Sequence, residues 1–219
     1  MHLLVSNANN RYKRLASKRP LPSKPERFLG DFLGPRCTKA RDHTPIWAAD
    51  NDAFSGFSPK KYLKMLDLIA KAKKPPAFVT APDVVCDHFA SVDLLLRWLP
   101  ELQQRNLPIG FVLQNGCEAA WDYHISRGEW FPWDEVDCFF IGGDTPFKFS
   151  PFIQKFTAFA SCEKWIHMGR VNSVKRLRYA MRIGCHSCDG SGMARFTNSV
   201  LLPMIIASQD KTQPEFNLY

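Results

Sequence analysis

At 219 residues with 45% hydrophobic content, the chain can bury one sizeable core, which excludes a disordered or fibrous protein and predicts a single domain over residues 1–219. Lysine and arginine total 29 against 21 aspartate and glutamate, and the resulting charge of +8 favours polyanionic partners through counterion release. No run reaches the ~20 apolar residues needed to span a bilayer, so no membrane partner is expected.

Residues 1–6 are too short, and too quickly followed by polar residues, to act as a signal peptide. Seven cysteines without a framework spacing fit a reducing compartment and free thiols, so the expected location is cytoplasmic.

In chain order, residues 3–5, 46–49, 77–80, 109–113, 138–141 and 165–168, and a final run ending near Asp189, read as buried strands. Between them, residues 59–72, 90–105, 151–162 and 173–183 carry apolar residues at helical spacing. In the second of these, Leu94, Leu95, Trp98, Leu99 and Leu102 form one stripe, and Pro108 stops the pattern. Strands alternating with helices predict a parallel sheet with right-handed crossovers. Seven strands are one short of a complete barrel, which typically needs ~250 residues. The fold class expected is therefore α/β, a (β/α)8-type TIM barrel, compact or incomplete, with a doubly wound open sheet as the alternative.

Residues 11–36 break the alternation. Over 11–27, Arg11, Lys13, Arg14, Lys18, Arg19, Lys24 and Arg27 are opposed only by Glu26, which reads as an extended or partly helical basic excursion, either a solvated loop or a nucleic-acid arm. A second basic cluster comprises Arg170, Lys175, Arg176, Arg178 and Arg182. Lys175, Arg178 and Arg182 share one helical face, and Arg170 follows a strand closely enough to reach a barrel mouth. Arg14, Lys18, Arg19, Arg170, Lys175 and Arg178 are the candidate nucleic-acid contacts.

Two aspartates end predicted strands, Asp50 in Asp50-Asn51-Asp52-Ala53-Phe54 and Asp189 in Gly184-Cys185-His186-Ser187-Cys188-Asp189-Gly190. In a barrel, residues at the C-terminal ends of different strands converge on one mouth, so carboxylates distant in sequence become neighbours across a substrate. Such a pair suits glycosidic-bond chemistry. Taken singly, Asp189-Gly190 also fits a turn and Asp50 a helix cap. Cys185, His186 and Cys188 offer at most three donors on a strand that points alternate residues to opposite faces, so no metal site is expected.

The motifs then carry a resemblance. Asp50-Asn51-Asp52-Ala53-Phe54 resembles the Asp-Ser-Gly-Gly-Phe segment of the tRNA-guanine transglycosylase superfamily, and Phe111-Val112-Leu113-Gln114-Asn115-Gly116 resembles its Gly-Ile-Val-Gln-Gly-Gly strand. Phe140-Ile141-Gly142-Gly143 and His167-Met168-Gly169 are similar to its Ile-Gly-Gly and Leu-Met-Gly turns, and Asp189 falls where that family carries its nucleophile. Thr80-Ala81-Pro82-Asp83-Val84-Val85, Ile141-Gly142-Gly143-Asp144 and Met168-Gly169-Arg170-Val171-Asn172-Ser173 look closer still to the short phage-type DpdA enzymes, which install 7-deazaguanine bases in DNA.

The resemblance covers residues 45–192 and implies base exchange without a cofactor, in host cytoplasm if the gene is a phage's. Asp189 would be the nucleophile and Asp50 the alternating acid and base. Asp83, Gln114 and the Gly142–Gly143 backbone would read a guanine-like edge, with Phe54 and Met168 sandwiching the ring. The implied partners are DNA and a 7-deazaguanine base, preQ0-like or a derivative, with a homodimer left open. The tRNA enzymes carry a zinc site of three cysteines and a histidine after the nucleophile, whereas none of the 30 residues after Asp189 is Cys or His. A hydrolytic N-glycosidase using the same carboxylates and a non-catalytic nucleic-acid-binding barrel are the alternatives.

Overall fold

Eight short parallel strands close into a barrel, in chain order, in the computed structural model. It describes residues 1–209 apart from 7, 19, 22–23, 25–26 and 41–43, and only the backbone of Asn9. The strands are β1 (His2–Val5), β2 (Leu29–Leu33), β3 (Trp47–Ala49), β4 (Val79–Thr80), β5 (Ile109–Leu113), β6 (Cys138–Ile141), β7 (Trp165–Met168) and β8 (Ser187–Asp189). Pairing of β1 with β8, His2 against Ser187 and Leu4 against Asp189, closes the ring and excludes the open sheet.

The helices are α1 (Ala8–Ala16), α2 (Pro59–Ile69), α3 (His88–Gln103), α4 (Cys117–Arg127), α5 (Thr145–Lys148), α6 (Pro151–Ala160), α7 (Val174–Arg182), α8 (Ser191–Arg195) and α9 (Leu202–Ser208). Side-chain caps from Asp87, Asp144 and Ser173 accept the first free backbone N–H groups of α3, α5 and α7. No helix among the described residues is long and apolar enough to cross a membrane.

The expected extended or partly helical excursion at 11–36 is helical at its start, and the structure corrects its end. Its start belongs to α1 and its end supplies β2, the eighth strand, which pairs with β1 and β3. Asp31 lies buried in that strand and accepts hydrogen bonds from the Ala8 backbone (3.0 Å) and the Thr44 hydroxyl (2.8 Å). Gly30 has to lack a side chain, because a Cβ there would come within 2.5 Å of Leu4 and 2.8 Å of the Ile46 carbonyl.

Strand alternation sorts the core into two layers. Outward residues such as Leu3, Val79, Phe111, Phe139, Ile166 and Met168 join the helices in one apolar layer. Leu4, Ala48, Phe78 and Cys138 fill the barrel with Phe32, Phe140 and Trp165 against them. Large rings require small neighbours here: a Cβ on Gly110 would sit 3.0 Å from Phe78, and one on Gly169 would sit 2.5 Å from Phe140. The filled interior makes the barrel a floor for whatever its mouth binds, not a pore.

Candidate active site

The mouth on the C-terminal side of the strands brings together Asp50 after β3, Asp83 after β4, Gln114 after β5, Gly142 and Gly143 after β6, and Asp189 ending β8. Among the described residues of its loops, three that are not glycine have left-handed backbones: Asp52 (φ 61°), Cys86 (φ 63°) and Arg170 (φ 61°). Such backbones cost energy and concentrate where a site needs fixed geometry.

Asp50 is half-buried, and its carboxylate accepts the Asn51 N–H at 3.0 Å. Desolvation, then the charges of Asp189 and Asp83, push its carboxyl up to about 7, so near neutrality its protonated form is populated. Asp83 is raised as well, by burial first, while hydrogen bonds from Asn51 and Gln114 pull it back. Asn51 donates to Asp83 Oδ1 (2.6 Å) and to the Ala81 carbonyl (2.6 Å), locking the β3 and β4 loops together. Gln114 is buried, donates to Asp83 Oδ2 (2.6 Å) and accepts the backbone N–H groups of Cys86 (2.9 Å) and Gly143 (2.7 Å). A carboxylate has about four acceptor positions, so Asp83 retains capacity for a ligand.

Asp189 presents a side chain with 21% exposure. Its Oδ1 lies 3.1 Å from His167 Nε2 and accepts from the Arg170 backbone N–H (3.3 Å). Lys148 lies buried nearby, its Nζ donating to the carbonyls of Gly169 (3.0 Å) and Ile141 (3.4 Å). Burial lowers its ammonium to about 8, against the pull of Asp189. Tyr62 closes the floor beside Asp50, donating to the Thr80 carbonyl (2.8 Å), and burial with the Asp50 and Asp83 charges raises its phenol.

One expected role changes. Met168 is 1% exposed in the outer apolar layer, because alternation along β7 turns His167 inward and Met168 outward, so it forms no wall opposite Phe54. Phe54 is 68% exposed and is covered instead by the Arg170 guanidinium, 4.2 Å from the ring centroid.

The basic candidates also separate. Arg170 stands at the mouth, where Arg176 donates to its carbonyl (3.4 Å) and to the Thr145 hydroxyl (3.3 Å). Lys175 is exposed in the first turn of α7, one turn nearer the mouth than Arg178, which faces α9 across a groove lined by Val174, Leu202 and Ile206. Arg14 is tied to the Thr197 hydroxyl, and because α1 runs back from the mouth, Lys18 beyond it sits toward the opposite end. Arg19 lies outside the described residues.

Among the described residues, no three His, Cys, Asp or Glu side chains are grouped to hold a metal ion. Cys185 and Cys188 are buried, and burial pushes both thiols up, away from the thiolate a metal would need. His186 accepts the Ile166 N–H at 2.9 Å.

Sequence reading missed Asn51, Lys148, His167 and Arg176 as site residues. For His167 a signal existed, since it shares the inward phase of its strand with Gly169. Lys148 gave none, because its carbonyl partners come from other strands. No protein-family model and no curated protein matches the chain.

Proposed function

We propose that the chain is a transglycosylase that replaces guanine in DNA with a 7-deazaguanine derivative through a covalent aspartyl–sugar intermediate. The observation that carries this reading is the convergence at one mouth of Asp50, whose carboxyl is raised by burial and by the charges of Asp189 and Asp83, with Asp189, one oxygen of which meets His167 Nε2 and the Arg170 N–H. Carboxyl groups in contrasting surroundings divide acid and nucleophile roles between them.

In the first half-reaction, Asp189 Oδ2 bonds to C1′ as the C1′–N9 bond breaks, and protonated Asp50 delivers its proton to the departing guanine. In the second, the incoming deazapurine gives a proton to Asp50 and attacks C1′, and Asp189 leaves as the carboxylate. The free acceptor positions of Asp83 face the donors of a guanine-like edge. Phe54 with Arg170 supplies a stacking and cationic surface beside it. A target base stacked in a duplex is out of reach of this mouth, so it has to be flipped out or already single-stranded.

The decisive assay incubates the protein with a guanine-containing oligonucleotide and a labelled 7-deazaguanine base, then analyses the nucleosides. One guanine lost for each labelled base incorporated is the expected result. Abasic sites without incorporation point to the hydrolytic alternative, and unaltered DNA ends the reading.

Charge reversal locates the DNA path. Arg170→Glu and Arg176→Glu should each weaken DNA binding about tenfold and lower the salt slope by about one per lost phosphate contact, whereas Lys18→Glu at the far end should change neither. Binding titrations at several salt concentrations test this, and a larger loss with Lys18→Glu would move the path off the mouth.

A further inference from the structure

Beneath Asp189 the barrel interior holds a line of polar groups whose inner members, Ser187 and Trp165, the proposed reaction does not use. Trp165 and His167 on β7, and Ser187 and Asp189 on β8, all turn inward, and His167 pairs in register with Ser187. Trp165 Nε1 lies 2.8 Å from Ser187 Oγ, Ser187 Oγ lies 2.8 Å from His167 Nδ1, and His167 Nε2 lies 3.1 Å from Asp189 Oδ1.

The hydrogens in this line follow from the chemistry of its ends. An indole N–H only donates, so Ser187 Oγ accepts from Trp165. Ser187 is fully buried, so its own hydrogen needs an acceptor, and His167 Nδ1 is the one it has. Nδ1 is then the acceptor nitrogen, Nε2 carries the hydrogen, and that hydrogen points at the carboxylate. Around the ring stand Phe140 (4.5 Å between centroids), Phe78 (5.1 Å) and Phe32 (5.4 Å), an apolar collar that disfavours the imidazolium.

We propose that His167 is a positioning residue for Asp189: a neutral Nε2–H imidazole, set in that tautomer by Ser187 and Trp165, that anchors Oδ1 and leaves Oδ2 as the attacking oxygen. The role in the reaction rests on the transglycosylase reading, whereas the tautomer rests on the hydrogen bonds alone. No proton moves along the line. When Oδ2 bonds to C1′, Oδ1 becomes the ester carbonyl and keeps the His167 and Arg170 donors. When the second base attacks, the C1′–Oδ2 pair returns to a carboxylate that the same donors receive. One fixed contact thus serves both formation and breakdown of the intermediate.

Two measurements test the proposal. Long-range proton–nitrogen spectra of the histidines at neutral pH, with the His167 signals identified by their loss in His167→Gln, should show the Nε2–H neutral tautomer in the wild type. In Ser187→Ala a fraction should convert to Nδ1–H. An imidazolium or an Nδ1–H ring in the wild type overturns the assignment.

In single-turnover trapping with an oligonucleotide bearing an activated base, His167→Met should slow adduct formation and release by roughly 10- to 100-fold, the worth of one hydrogen bond to a charged group. His167→Gln, whose amide nitrogen reaches the Nε2 position, should recover most of that loss. Equal rates for the two variants would reduce His167 to a packing residue. If the wild type traps no adduct, the transglycosylase reading falls and the tautomer spectrum alone decides the His167 assignment.

Discussion

Asp189→Asn should abolish base exchange, by about 10⁴-fold or more, and remove any denaturation-resistant DNA adduct while leaving the fold and DNA binding intact. The amide matches the carboxylate in size, and its carbonyl oxygen still accepts from His167 Nε2 and the Arg170 N–H, so the turn into Gly190 keeps its anchors. What is lost is the anionic oxygen that would bond to C1′. The check is to incubate wild type and variant with single-stranded DNA carrying guanine, and with the same strand carrying an activated base, and resolve the products under denaturing conditions. An activated leaving group removes the need for acid catalysis but not for the nucleophile, so the variant should fail on both substrates. Trapping of the activated strand at the wild-type rate would show that another group attacks and would overturn the assignment of Asp189.

The parts of this molecule that were legible in the sequence are those whose burial is symmetric. Barrel strands such as β5 and β6 are covered on both faces and read as continuous apolar runs, and α3 and α6 carry a stripe behind a capping Asp87 or Ser150. The strand β2 was not legible because Gly30 and Asp31 occupy its centre. Each answers a tertiary demand, the close approach of Ile46 and the unpaired donors of Ala8 and Thr44. Helix α4 went unread because Cys117 is its one buried residue among those described, while Tyr123 and Ile125 are exposed, so no apolar stripe marks it.

The same distinction holds at the mouth. Asp50 and Asp189 could be found because a carboxylate at the close of an apolar run marks the end of a barrel strand, whereas Asp83 came only from the resemblance. Lys148 and Asn51 could not, since the nearer partner of Lys148 is the Gly169 carbonyl, 21 residues away, and Asn51 donates to Ala81 and Asp83, 30 and 32 residues away. Net charge pointed to a polyanion but not to a face. That depends on the direction of each helix, which carries Lys18, beyond the end of α1, away from the mouth and keeps Arg176 of α7 beside it.

Asp50→Asn should separate acid catalysis from nucleophilic attack, and it should do so with a pH signature. In the wild type the acid form of Asp50 is present below about 7, so guanine departure should slow as pH rises through that value. The variant keeps Asp189, the proposed nucleophile, but has no proton to give. Its exchange with guanine should fall by roughly 10²- to 10⁴-fold at pH 6, the usual worth of a positioned general acid, and its residual rate should lose the pH dependence near 7. With an activated base in the strand, adduct formation should return to within about tenfold of wild type.

Stability should move the other way. The Asp50 carboxyl is raised from 3.8 to about 7 on folding, so the folded state binds the proton more tightly, and stability is lost as pH climbs between those values. An amide does not ionise. Asp50→Asn should therefore be more stable than wild type at pH 8, by an amount on the order of 3 kcal/mol, and the advantage should shrink toward pH 4. Denaturant titrations at the two pH values, read beside the trapping assay, test both halves. A variant that is inactive with guanine and activated strands alike, at unchanged stability, would place Asp50 outside acid catalysis and leave the carboxylate pair without its proposed division of roles.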